Sequence, residues 1–129
     1  GGNTHLHGGW HEGVGTLADV RGDGLKRVIL LSDGQANEGL TDTRAIAEQC
    51  GEWAGKGVTT STYGLGNNFN EELMVAMARA GGGNHYYGDT AEDLMEPFQQ
   101  ELELLGNLCL RDLRLALAAE TGGTSDTAA

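Results

Sequence analysis

The chain has 129 residues, a length that fits one domain. Eight basic against 19 acidic side chains leave a formal charge of −11 at pH 7, and no basic stripe offsets it, so binding to nucleic acid is excluded as a first reading. No apolar run, residues 28–31 included, approaches the roughly 20 residues a membrane span needs, and no charged-then-apolar amino-terminal stretch suggests a signal peptide.

Twenty-two glycines are interleaved with apolar segments, a pattern of tight turns and close backbone approaches rather than of disorder. Leu6, Trp10, Val14 and Leu17 recur on one face of a helix, although Gly8, Gly9, Gly13 and Gly15 each weaken it by roughly 1 kcal/mol relative to Ala. After the turn at 21–24, residues 26–32 form a short apolar run of the kind buried on both faces of a parallel sheet. Thr41 or Asp42 caps a helix that buries Ile46, Cys50 and Trp53, and Cys50 there reads as a small buried hydrophobe. With only Cys109 beside it, no disulfide scaffold is expected.

Residues 58–63 are a β-branched strand ended by Gly64 and Gly66. Asn70 caps a helix with Glu71 and Glu72 in its positive first turn, and residues 85–87 form a short third strand. Thr90 caps a helical segment carrying Leu94, Phe98, Leu102 and Leu105, and Pro97 predicts a break into two helices there. The acids Asp89, Glu92, Asp93, Glu96, Glu101 and Glu103 read as a solvated face rather than a calcium site. Beyond Gly106 the leucine alternation is extended, with a change of phase at Arg111 and Asp112 that calls for a bulge, and residues 120–129 read as a disordered tail. Helices and strands thus alternate in the rhythm of a three-layer, doubly wound α/β fold of Rossmann-like type, with about three parallel strands and right-handed crossovers.

In such a sheet ligands bind beyond the carboxyl ends of the strands. Two loops qualify by position, residues 32–37 and residues 64–68. Asp33, at the end of a buried apolar strand, either meets a cation or caps the turn that follows.

At this point the sequence resembles the von Willebrand factor type A domain. The stretches that carry the resemblance are Gly2-Asn-Thr-His-Leu6, Val28-Ile-Leu-Leu-Ser-Asp-Gly-Gln-Ala-Asn37, Gly57-Val58 with Gly64-Leu-Gly66, and Leu73-Met74 running to Gly83-Asn-His-Tyr-Tyr87. They lie in the family's order and spacing over residues 1–105. The resemblance implies a metal-ion-dependent adhesion site, in which Mg²⁺ or Mn²⁺ is held by an Asp-x-Ser-x-Ser loop, a Thr from a second loop and an Asp from a third. A carboxylate of a protein ligand completes the octahedron. Thr4 matches the family's Thr, and Asp33 matches the third-loop Asp, which acts through water. Gly34, Gln35 and Asn37, with Asn67 and Asn68 of the neighbouring loop, are the residues expected to touch a partner presenting Asp or Glu.

No Asp-x-Ser-x-Ser occurs in the 129 residues. The chain is therefore expected to correspond to the carboxyl-terminal part of the family's domain, truncated before its first strands, with Thr4 and Asp33 as at most two of the site's five side chains. The edge of strand 26–32 is then expected to lie open and to invite self-association. Residues 106–119 pass the family's usual end and resemble the first strand of a following β-rich region in multidomain bacterial relatives.

Other readings are weaker. His5, His7 and His11 could hold Zn²⁺, since His7 and His11 share a helix face, but no nearby Cys supplies a fourth ligand. Gly64 and Gly66 lack the third glycine and the lysine of a phosphate loop. Around Ser32, Leu30 stands where a nucleophile elbow needs glycine. No acid–base pair emerges, so the expectation is an interaction module and not an enzyme, with a metal-independent scaffold as the alternative.

Overall fold

Helices and strands alternate along the chain in this computed structural model, which describes residues 6–19, 24–32, 42–66, 71–108 and 113–120. The elements are α1 (Leu6–Ala18), β1 (Leu25–Ser32), α2 (Thr43–Gly55), β2 (Val58–Leu65), α3 (Glu71–Ala80), β3 (Gly82–Gly88), α4 (Ala91–Leu108) and β4 (Leu113–Glu120). The strands form one parallel sheet in the order β3-β2-β1-β4. This is the α/β, Rossmann-like arrangement expected from the helix–strand rhythm.

Alternate residues of β1 and β2 feed two separate cores. Val28, Leu30 and Val58 pack with Trp10, Val14 and Leu17 of α1, Ile46 and Cys50 of α2, and Leu73, Met74 and Met77 of α3. Ile29 and Tyr63 point to the other face, where Leu94 of α4 joins them and Phe98 and Leu102 pack alongside. Burying each such large apolar side chain is worth about 1.5–3 kcal/mol, which offsets the glycines of α1. Trp10 is also anchored by its indole N–H, which donates to Thr60 Oγ1 at 2.8 Å. Cys50 is fully buried as a free thiol, and burial pushes its pKa up to about 12, in keeping with a packing role.

Three expectations are corrected. Pro97 does not split α4, which runs unbroken from Ala91 to Leu108. The lost N–H bond is tolerated because Leu94 and Leu105 are buried and Phe98 and Leu102 pack on the sheet at helical spacing. Glu101 is not part of a solvated face, being 2% exposed and paired with Arg27 of β1 at 2.8 Å. The edge of β1 is not open, since β4 pairs with it in parallel from Leu25↔Leu113 to Ser32↔Glu120. Self-association through that edge therefore has no vacant strand position to use. Two boundaries also move, since α4 takes in residues 107 and 108, expected to be extended, and Glu120, expected to open the tail, ends β4. The proposed bulge at Arg111 and Asp112 and residues 121–129 of the tail lie outside the described residues.

The close β2–β3 pairing depends on glycine. Register shifts between Thr60 and Thr62, and Gly82 there adopts a φ of +76°. A Cβ on Gly83 would overlap the Thr60 carbonyl oxygen, so residues 81–83 allow close approach as well as ending α3.

Candidate functional site at the carboxyl edge of the sheet

Every strand runs in the same direction, so their carboxyl ends share one edge. Ser32, the last residue of β1, is in register with Gly64 of β2, and Gly64 is in register with Tyr87 of β3. Just beyond, the Gly66 N–H donates to the Gly88 carbonyl at 2.8 Å, and Gly66 takes a φ of +81°. The described roots of loops 33–41 and 67–70 are thus neighbours at this edge. Each of α2 and α3 returns to the opposite edge, ending two or three residues before the next strand, so both direct their amino ends here. α4 starts here, three residues after β3.

Polar groups at this edge are mostly satisfied locally. Asp42 caps α2, its carboxylate accepting from the Arg44 and Ala45 N–H groups at 3.1 and 3.2 Å. Asp93 and Thr90 form a reciprocal cap on α4, Asp93 Oδ2 accepting from the Asp89 and Thr90 N–H groups while Thr90 Oγ1 accepts from the Asp93 N–H. Tyr87, 46% exposed, donates its hydroxyl to Asp89 at 2.5 Å, and this hydrogen bond to a carboxylate raises its pKa. Thr62 spends its proton on the Met74 carbonyl at 2.8 Å, so the network assigns the 2.9 Å contact with His85 as Nδ1–H donating to Thr62 Oγ1. Burial lowers the His85 pKa, with Glu71 opposing the shift.

Thr4, Asp33, Gly34, Gln35, Asn37, Asn67 and Asn68 all lie outside the described residues, as does His5. The backbones of His7 and His11 both lie in α1, and His11 is exposed. Among the described residues, no group of three or more His, Cys, Asp or Glu could hold a metal. No described helix is long and apolar enough to cross a membrane.

The polar network that sequence reasoning missed sits deeper, between sheet and α4. Glu101 accepts from Arg27 Nη1 at 2.8 Å, from Tyr63 Oη at 2.5 Å, and from Ser61 Oγ. Arg27 further donates to Thr59, to Ser61 and to the Gly82 carbonyl. Burial and the Glu101 carboxylate push the Tyr63 pKa well up. The available signal was the position of Glu101, three residues after Phe98 and four before Leu105, on the apolar stripe of α4.

No family model matches the sequence. The chain is 34% identical over 92 residues to the uncharacterized protein YfbK of Escherichia coli (strain K12), covering 70% of this chain and 16% of that protein. It is 26% identical over 117 residues to the uncharacterized protein sll0103 of Synechocystis, covering 90% of this chain and 27% of that protein. It therefore spans well under a third of either relative. Among solved structures, the conserved hypothetical protein BatB from Bacteroides thetaiotaomicron matches with a TM-score of 0.52 and 19% identity, covering 64% of this chain and 50% of that one. That likeness shows the fold alone, in line with the von Willebrand factor type A-like architecture implied by the motifs.

Proposed function

We propose that the chain belongs to a protein-interaction module in which the carboxyl edge of the sheet takes an acidic group of a partner protein through Mg²⁺ or Mn²⁺, and that it is not a catalyst. The observation that carries the reading is the adjacency of the loop roots, with Ser32 and Gly64 in register and Gly66 bonded to Gly88. Thr4 and Asp33 offer a hydroxyl and a carboxylate, the hard oxygens that Mg²⁺ takes while retaining waters. They form part of a donor set, the remainder falling to water, the partner and residues beyond this chain.

When bound, the ion would supply the positive charge that lets a chain of net charge −11 accept a carboxylate. The chain's own part is positional. The paired ends of β1 and β2 fix where the loops start, Asp33 and Thr4 would orient the ion's shell, and Gln35, Asn37, Asn67 and Asn68, beside Gly34, would offer hydrogen bonds around it. The alternative is a scaffold in which Asp33 only caps a turn. Both uses suit a carboxylate that follows a buried strand. A Zn²⁺ site at His5, His7 and His11 is the weaker metal reading, because no nearby Cys in the sequence supplies a fourth ligand.

Calorimetric titration of the natural full-length protein with Mg²⁺ separates these readings. Asp33→Ala is expected to weaken Mg²⁺ binding by about 10–100-fold, the usual cost of losing an outer-sphere partner, with the far-UV circular dichroism unchanged. Equal affinity in both proteins would leave the scaffold reading standing.

A further inference from the structure

On the face of the sheet covered by α1, α2 and α3, a shallow groove of about 660 Å³ runs between α2 and α3. Its floor is small and apolar, made by Ala47 of α2 and by Val75, Ala76 and Ala80 of α3, all half-buried. Charges stand only at its two ends, Glu71 and Glu72 at the amino end of α3 and Arg79 in its last turn. Glu72, Arg79 and these ends are exposed, and among the described residues neither Glu72 nor Arg79 forms an ion pair within its own chain.

The order of these residues has a two-fold symmetry. Glu72 and Arg79 lie two helical turns apart on one face, with Val75 and Ala76 between them. Rotation about the point midway between Val75 and Ala76 carries position 72 onto 79 and 71 onto 80. A second α3 laid antiparallel across the first would therefore set each Glu72 opposite the other copy's Arg79. The small residues at the centre permit close helix approach, and the opposed macrodipoles favour the antiparallel alignment. This is the self-complementary pattern an isologous contact requires.

We propose that the α2–α3 groove is a self-association surface, its occupant a second copy of this chain docked through α3 about a two-fold axis at Val75 and Ala76. The surface starts at the amino end of α3, beside loop 67–70, and runs along the helical face toward the opposite edge, and it does not depend on metal. Because each copy carries a charge of −11, the contact is weak at low ionic strength and tightens once salt screens the long-range repulsion, whereas the short Glu72–Arg79 pairs are screened less.

Sedimentation equilibrium on the full chain, from about 10 μM to about 0.5 mM at near-physiological salt, tests this. A concentration-dependent dimer is expected. Arg79→Glu and Glu72→Arg are each expected to weaken it about tenfold or more, and the double exchange to restore it to within about threefold. Ala76→Arg, which sets like charges face to face on the axis without touching the helix ends, is expected to abolish it. Thermal melts of each variant verify folding. A chain that stays monomeric throughout, a dimer indifferent to Arg79→Glu and Ala76→Arg, or singles weakened without rescue in the double exchange would each overturn the proposal. The last result would point instead to a different partner surface.

Discussion

Glu101 holds α4 to the sheet through three donors from two strands, and its side chain is fully removed from solvent. Its partner Arg27 is only 10% exposed at the side chain, so neither charge has water to fall back on. Removing one member of such a pair strands the other, and Glu101→Ala is expected to cost about 3–5 kcal/mol in urea unfolding. Replacing both, as Arg27→Met with Glu101→Leu, is expected to recover most of that loss. If Glu101→Ala cost no more than an ordinary surface change, the buried network would be energetically idle.

His85 gives a different handle at the same scale. Its pKa lies below the ordinary 6.5 because burial disfavours the charged ring. The unfolded chain thus binds this proton more readily than the folded one, so the stability tied to neutral His85 is complete above pH 6.5 and declines as pH falls through that value toward the lower folded pKa. Urea unfolding at about pH 7.5 and about pH 5.5 is expected to show a smaller acid loss in His85→Gln than in the parent. Identical pH dependence in the two would contradict it.

At the scale of elements, close packing at the β2–β3 seam leaves less room at Gly83 than at any other described glycine. Gly83→Ala forces a Cβ into the Thr60 carbonyl oxygen and is expected to destabilise the fold by about 3 kcal/mol, read from denaturant midpoints. Gly15, which has nothing within 4 Å of an added Cβ and lies within α1, is the control where alanine is expected to be neutral or stabilising.

The elements themselves were legible because their signals are local. The periodicity of Trp10, Val14 and Leu17, the apolar run of β1 and the β-branched run of β2 each announce an element and its buried face. What was not legible is pairing. Alternation along 113–117 marks an extended segment, but nothing in it says that β4 lies against β1, a contact between elements 80 or more residues apart. Pro97 misled for a related reason, since packing of α4 on the sheet overrides the local penalty. Glu101 could have been placed from its spacing, had the stripe been weighed above the run of acids around it. Asp33 and Thr4 became candidates through motif and position, because a lone carboxylate after a strand has two chemical uses that spacing does not separate.

For the whole molecule, parallel direction is the property that turns strand ends into a site. It gathers the ends of β1, β2 and β3 and the amino ends of α2, α3 and α4 at one edge, while the groove between α2 and α3 runs from that edge along the helical face. The strands separate that edge from the opposite one by about 20 Å, at roughly 3.3 Å per residue, enough for a paramagnetic ion to distinguish them. Titrating the isotope-labelled natural full-length protein with Mn²⁺ and recording amide line broadening is therefore the most direct test of the carboxyl edge as a metal-dependent interaction site. The account predicts selective broadening at Ser32, Gly66 and Gly88, with Lys26, Val58 and Gly82 at the opposite edge unaffected, and loss of the effect in Asp33→Ala. Broadening confined to the acids of α4, such as Glu92, Glu96 and Glu103, or no broadening at the carboxyl edge at all, would contradict it.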